Sequence, residues 1–133
     1  MGKRSTARRL AMQAIYQAEV SSTDIETALT NLFDDEPFIP ETKEFAEKLA
    51  KATWADKEIV DKIIIDLAVD WPIERIGKVD RSVLRLALQE LRTGETPTSV
   101  VINEAVELAK KYCGGEASKF INGILGAFVR QAK

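Results

Sequence analysis

The sequence predicts an all-α protein that folds as a single compact domain of six or seven helices. Apolar residues recur at helical spacing along most of the chain, and no window has the alternation expected of a half-buried strand. The chain has 133 residues, the usual size of one domain, and 45% of them are hydrophobic. A chain of this size buries about two thirds of its unfolded surface, so its core needs no disulfide or metal.

Helices are predicted from the apolar periodicity and from the residues that begin and end them. In chain order they span about residues 3–20, 24–33, 41–54, 56–69, 81–93, 97–112 and 116–131, with a short turn at 73–76. Thr23 is expected to cap the second helix, and the loop after that helix carries Pro37 and Pro40, because a proline pushes the preceding residue out of the α region. The residues expected to be buried by the first four helices include Leu10, Ala14, Ile15, Phe45, Leu49, Trp54, Ile59, Val60, Ile63, Ile64 and Leu67.

The C-terminal half carries sharper boundary signals. Asp80 is expected to cap the fifth helix, which ends before Gly94. Thr96 as cap and Pro97 at the first helical position begin the sixth helix. The apolar faces of the fifth and seventh helices are Val83, Leu84, Ala87, Leu88 and Leu91, then Ile121, Ile124, Leu125 and Phe128.

The charges are unevenly distributed along the chain. The net charge is only −2, yet residues 1–20 carry four basic side chains and one acidic side chain. Residues 21–70 are acidic, and residues 71–133 are basic again. If the two basic ends meet in space they form a positive face suited to nucleic acid, whereas the plainer alternative is a solvated helical surface.

The sequence contains few of the residues and motifs that are typical of an enzyme active site. The chain has no histidine, which removes histidine triads and the commonest metal ligand, and Cys113 is its single cysteine. We therefore predict a non-enzymatic protein with no catalytic residues, no metal and no cofactor. No apolar run approaches the roughly 20 residues of a membrane-spanning helix, and the free cysteine fits a cytoplasmic protein that does not engage a membrane.

The first helix carries candidate RNA-binding residues. The candidates are Lys3, Arg4, Arg8, Arg9 and Gln13, and Tyr16 lies on the same stripe as Arg9 and Gln13 at helical spacing. Arginine neutralises phosphates and stacks on bases, and single-stranded RNA offers both groups. The alternative is that this short basic helix serves only solubility.

A second group of candidates surrounds the Gly114-Gly115 corner between the last two helices. Tyr112 and Phe120 could stack on bases, while Lys119 and Asn122 could contact a phosphate or a base edge. The alternative is that both aromatic rings pack in the core.

Three stretches of this sequence resemble the NusB family of transcription antitermination factors. They are Ile102-Asn103-Glu104-Ala105-Val106-Glu107-Leu108-Ala109-Lys110 followed by Tyr112 and Lys119-Phe120-Ile121-Asn122-Gly123-Ile124-Leu125, Val79-Asp80-Arg81-Ser82-Val83-Leu84-Arg85-Leu86-Ala87, and Arg8-Arg9 through Ala14-Ile15-Tyr16. The resemblance spans the whole chain and is weakest over residues 21–70. It implies the NusB-type fold of two small helical bundles packed together, one over about residues 1–70 and the other over about 71–133.

The resemblance also implies a function. NusB-type proteins pair with a ribosomal protein, called NusE in this role, and the pair binds single-stranded boxA-type RNA in ribosomal RNA leaders as a platform in the RNA polymerase antitermination complex. Carried over to this sequence, RNA contacts fall to Lys3, Arg4, Arg8, Arg9, Gln13, Tyr112, Lys119, Phe120 and Asn122, and partner contacts fall to Tyr16, Glu74 and Asp80. The resemblance leaves monomer and homodimer both open.

Two other interpretations stay open from the sequence. In one, the chain is a protein-interaction module of the same fold that does not bind RNA productively. In the other, it is a fragment of an RNA methyltransferase with a NusB-like domain, which requires a catalytic α/β domain after the last helix.

Overall fold

The computed structural model describes residues 2–69 and 71–131, and over these ranges every regular element is helical. The all-α prediction is therefore confirmed. The α-helices are α1 (Lys3–Ser21), α2 (Ile25–Asp35), α3 (Pro40–Ala55), α4 (Lys57–Leu67), α5 (Lys78–Thr93), α6 (Thr98–Tyr112) and α7 (Gly115–Gln131), and a short 3-10 helix covers Ile73–Arg75. The division into two bundles at about residue 70 stays a prediction, and residue 70 itself lies outside the described residues.

Three predicted caps are wrong, by one to three residues. Asp24, not Thr23, caps α2, because its Oδ1 accepts the backbone N–H of Thr27 at 2.8 Å. The fifth helix begins early enough that Gly77 is its N-cap, so Asp80 lies in the first turn, where a carboxylate still favours the positive end of the helix. Pro97 is the N-cap of α6 and not its first residue.

One residue of α4 that was predicted to lie in the core is exposed. Ile59 was expected to be buried, but 52% of its surface is exposed, while its neighbour Val60 is fully buried. Consecutive residues on a helix point about 100° apart, and the core takes the face formed by Val60 and Ile64. The prediction was wrong because a run of branched apolar residues does not say which of them faces inward.

The core joins all the helices of the described chain. α1 packs on α2, α3 and α5, and α5 in turn contacts α3, α4, α6 and α7. Long side chains from four of these helices have almost no exposed surface, among them Leu10, Ile15, Ile64, Leu84, Leu88, Ile121 and Leu125. Because α5 contacts most of the other helices and α1 packs on α5, the position of α1 on α5 determines where the surface residues of α1 lie.

Arg85 connects three of these helices through buried charge. Its Nε and Nη2 donate to the two carboxylate oxygens of Asp61 on α4, each at 2.7 Å, and its Nη1 donates to Glu19 on α1 at 2.7 Å. The hydrogen bond from Arg85 holds the pKa of Glu19 below its usual range, although partial burial opposes that shift. These three side chains therefore fix the C-terminal half of α1 against α4 and α5.

None of the helices over residues 2–69 and 71–131 combines the length and apolar character that crossing a bilayer demands.

Replacing Arg85 tests the importance of this connection for the fold. We expect Arg85→Ala to lower the free energy of unfolding by about 3 kcal/mol, because it leaves Asp61 and Glu19 beside each other without their cation. Urea denaturation measures the change. Lys48→Ala is the control, since Lys48 forms an exposed pair with Glu95 at 3.9 Å and should cost less than about 0.5 kcal/mol. Equal losses in the two variants would contradict this role of Arg85.

Candidate nucleic-acid interface

The first half of α1 and the second half of α6 line the two sides of a surface cleft of about 410 Å³. Its lining residues are Ser5, Thr6, Arg9, Glu104, Glu107, Leu108, Lys110, Lys111 and Tyr112. The cleft is thus lined by basic groups, carboxylates, a leucine and an aromatic ring. Two of the predicted RNA-binding residues, Arg9 and Tyr112, are brought together there although they are far apart in the sequence.

A buried ion pair holds the two walls of the cleft together. Arg8 donates from Nε and Nη2 to the two carboxylate oxygens of Glu90 on α5, at 2.7 and 2.9 Å. Its Nη1 donates to Oε1 of Glu104 on α6 at 3.3 Å. Burial alone would lower the pKa of Arg8, but the hydrogen bonds and negative charges of the two glutamates outweigh it and raise the pKa.

The predicted surface position of Arg8 is therefore wrong. Only 4% of the residue is exposed, and its guanidinium is occupied by two carboxylates. The physical reason is that Arg8 lies on the face of α1 that turns toward α5 and α6, where Glu90 and Glu104 accept its hydrogen bonds. Arg9, one position further, points to the cleft and donates from Nη1 to Oε1 of Gln13 at 3.1 Å.

Lys3 and Arg4 lie on the other side of α1, against α3. The Lys3 ammonium is 3.2 Å from Oε2 of Glu41, and the Arg4 guanidinium lies 4.8 Å from the centre of the Phe45 ring. Both residues line a separate groove of about 340 Å³ together with Lys48. Their side chains are exposed, but they flank the helix opposite the cleft.

Tyr112 lies at the end of α6, just before the glycine corner. Gly114 has φ of +98°, a conformation that a residue with a side chain rarely adopts, and it reverses the chain between α6 and α7. Tyr112 is the last residue of α6 and is 37% exposed, with the Lys111 ammonium 5.5 Å from its ring centre. An aromatic ring that is open on one side and has cations nearby is a suitable platform for a base.

Phe120 occupies a different place from Tyr112. It is half-buried, packs against the main core, and its ring centre lies 6.1 Å from that of Trp71, with the planes tilted by 43°. Lys119 and Asn122 are exposed on the same helix. Among the described residues, the cleft is lined by none of these three, so the predicted RNA-binding residues do not all face one site.

The predicted partner-binding residues differ in their exposure. Tyr16 and Glu74 are exposed, the first on α1 and the second in the 3-10 helix. Asp80 is half-buried near Cys113, and burial together with a hydrogen bond to Asp80 raises the pKa of the Cys113 thiol to about 12. Asp80 therefore interacts with Cys113 inside this chain, in addition to its predicted contact with a partner protein.

Sequence reasoning missed several cleft residues. Glu104, Glu107, Leu108 and Lys111 recur at spacings of three and four residues along α6, which puts them on one face. That periodicity could have been detected, but only the position of α1 in the folded structure identifies this face as the wall of a cleft. Across the described ranges, no group of three or more carboxylate, cysteine or histidine ligands is placed to hold a metal ion.

Comparisons with known proteins agree on one family. The NusB family model matches residues 5–130. The chain is 39% identical to the transcription antitermination protein NusB of Symbiobacterium thermophilum, over 98% of this chain and 91% of that protein. It is 40% identical to the NusB protein of Anaeromyxobacter dehalogenans, over 92% of this chain and 87% of that protein.

Solved structures with the same fold include complexes with RNA. A chain in the crystal structure of the antitermination factors NusB and NusE in complex with dsRNA superposes with a TM-score of 0.90 at 27% identity, covering 97% of each chain. A chain in the crystal structure of a plectonemic RNA supercoil superposes with a TM-score of 0.93 at 28% identity, covering 99% of this chain and 97% of that chain.

The raised pKa of Cys113 predicts a thiol with low reactivity. Because the thiolate is the nucleophile, a pKa of about 12 leaves the folded thiol almost fully protonated at pH 8. We expect a disulfide reagent such as DTNB to react with the folded chain at least about a hundred-fold more slowly than with the chain in denaturant, where the pKa returns to about 8.5. Asp80→Asn should accelerate the folded reaction by removing a negative charge. Equal rates for the folded and denatured chains would contradict the assignment.

Proposed function

This chain belongs to the NusB family of transcription antitermination factors, and from that premise we propose that its α1–α6 cleft binds single-stranded boxA-type RNA. The ribosomal protein NusE acts as its partner, and the assembly serves the RNA polymerase antitermination complex. The protein is a non-enzymatic platform that works in the cytoplasm. The relatives described above carry the antitermination name, which favours this function over that of a methyltransferase fragment.

The observation that carries the proposal is the meeting of Arg9 and Tyr112 in one cleft. Arg9, Lys110 and Lys111 supply cations for the phosphates of a strand, and Tyr112 supplies a ring on which a base can stack. Neither group alone would distinguish RNA from another anion. Their combination matches the alternation of charge and flat base along an unpaired strand.

The preference for an unpaired strand rests on Tyr112. The solved complex of NusB and NusE contains double-stranded RNA. In an A-form duplex the base faces are stacked on one another, so a protein reads mainly the backbone and the 2′-hydroxyls. A ring at the edge of the cleft gains about 1–3 kcal/mol from stacking only when a base is splayed out. A single strand therefore uses more of this cleft than a duplex does.

The proposed partner surface includes Tyr16 and Glu74. Both are exposed, and Tyr16 continues the stripe of Arg9 and Gln13 along α1. An RNA lying in the cleft would thus end near the part of α1 that is proposed to face NusE. Lys3, Arg4, Lys119 and Asn122 are exposed outside the cleft, and contacts from these four to the flanks of the RNA stay predictions.

Fluorescence anisotropy tests the function as a whole. A labelled boxA-type RNA and a scrambled RNA are titrated with the protein, with and without NusE, and an unlabelled duplex serves as competitor. We expect the boxA-type strand to bind more tightly than the scrambled strand, and more tightly still with NusE. Equal binding of both strands under all conditions would remove the sequence-specific part of the proposal.

Arg9 should contribute to RNA affinity through charge. We expect Arg9→Gln to weaken binding of all RNAs and to reduce the slope of log affinity against log salt by about 0.7 to 1, which corresponds to one lost phosphate contact. Arg92→Gln is the matched control, because Arg92 contacts Asp56 and Gln89 on a different part of the surface. The assignment of Arg9 would be wrong if both variants changed the slope equally.

Tyr112 and Phe120 should respond in opposite ways to truncation. We expect Tyr112→Ala to weaken RNA binding about ten-fold with little change in the thermal midpoint, because the ring is exposed and stacks on a base. Phe120→Ala should instead lower the free energy of unfolding by about 2 kcal/mol and leave RNA affinity nearly unchanged, because its ring packs on Trp71 and the core. Anisotropy and thermal denaturation of both variants measure the contrast, and the reverse pattern would show that Phe120 is the stacking residue.

A further inference from the structure

We propose that Glu104 is a specificity-determining residue, and that it selects a base with an exocyclic amino group, as in cytosine or adenine, over uracil at one position of the RNA. This inference rests on the proposed function, because it names the edge of the base that the α1–α6 cleft recognises. It assigns a role to the carboxylates of the cleft, which simple phosphate binding does not explain.

The carboxylate of Glu104 is held in a fixed position. Its Oε1 accepts a hydrogen bond from the Ser5 hydroxyl at 2.5 Å and another from Nη1 of Arg8 at 3.3 Å. Its Oε2 accepts none from residues 2–69 or 71–131. The side chain is 25% exposed and lines the cleft, so one oxygen anchors the group while the other is available to a ligand.

The arrangement of charge in the cleft favours a base inside it and phosphates at its edge. A phosphate placed against Glu104 would meet a carboxylate whose position cannot change without breaking the contact to Arg8. Glu107 adds a second negative charge to the lining, and Lys110, the cation that pairs with it at 3.4 Å, is exposed. A neutral base avoids this repulsion, and Tyr112 and Leu108 offer it a flat and apolar contact.

The free oxygen of Glu104 determines which base edge fits. A carboxylate only accepts hydrogen bonds, and glutamate accepts from the N4 amino group of cytosine. Adenine carries a comparable amino group at N6. Uracil presents the O4 acceptor at the position where cytosine has its amino group, so its oxygen would oppose the carboxylate. Cytosine and uracil have nearly the same shape, so the difference between them isolates this one contact.

The test measures base preference rather than overall affinity. In a boxA-type RNA, each position in turn is made cytosine or uracil, and both RNAs are titrated by anisotropy with NusE present. We expect one position at which the wild-type protein prefers cytosine by about ten-fold. In Glu104→Gln the amide oxygen can keep the contacts to Ser5 and Arg8, which turns the amino group toward the ligand. That donor should abolish the preference for cytosine or reverse it.

Two variants control for charge and for folding. Glu107→Gln removes the same charge from the same cleft at a side chain that is 69% exposed, and it should leave the preference unchanged. Ser5→Ala keeps every charge but frees one contact of Glu104, so it should reduce the preference by about three-fold and remains usable if Glu104→Gln does not fold.

The outcomes separate this inference from the function on which it rests. If Glu104→Gln strengthens binding to every RNA equally, then Glu104 only repels phosphate and the inference is wrong. An unchanged cytosine preference in both Glu104→Gln and Ser5→Ala would also overturn it, while leaving RNA binding intact. If the wild-type protein with NusE binds none of the RNAs, the proposed function itself fails.

Discussion

The buried contact between Arg8 and the carboxylates of Glu90 and Glu104 determines the candidate interface. It joins α1 to α5 and α6 across more than eighty residues of sequence, and it sets the distance between the two walls of the cleft. A buried ion pair often contributes little net stability compared with an apolar alternative, since both charges lose their hydration. Its value here is geometric, because the guanidinium binds Glu90 with two nitrogens and Glu104 with the third, which restricts how α1, α5 and α6 can be arranged.

Because of this contact, the adjacent residues Arg8 and Arg9 have different roles. Arg8 faces inward and holds the helices, whereas Arg9 faces the cleft. Glu104 is shared between the two functions, because one of its oxygens bonds to Arg8 and the other faces the cleft. Arg85 plays a similar structural part at the other end of α1, through Glu19 and Asp61. The position of α1 is therefore fixed toward both ends by arginines that are almost fully buried.

The fold could be predicted from the sequence to a large extent, and the site only in part. Helical periodicity located each helix, because the apolar face of a helix is a local property of its sequence. The caps were misplaced because Thr23 and Asp24 are equivalent as caps until the hydrogen bond to Thr27 is seen. The two arginines were likewise indistinguishable, since only the positions of α5 and α6 decide which of them is buried.

The cleft itself depends on contacts between residues that are distant in the sequence. Lys110, Lys111 and the two carboxylates of α6 became candidates only when α1 was found beside them. Phe120 was a reasonable candidate as an aromatic residue beside Lys119 and near the glycine corner, but its packing against Trp71 is not encoded locally. Local sequence patterns do not specify how the helices pack against one another.

The central claim is that RNA enters between α1 and α6, and amide NMR of the labelled protein during an RNA titration tests it most directly. The account predicts that the largest chemical-shift changes fall on residues 5–13 and 104–112, with little change around Trp71 and Phe120. Changes concentrated around Trp71 and Phe120, with the cleft residues unaffected, would contradict it.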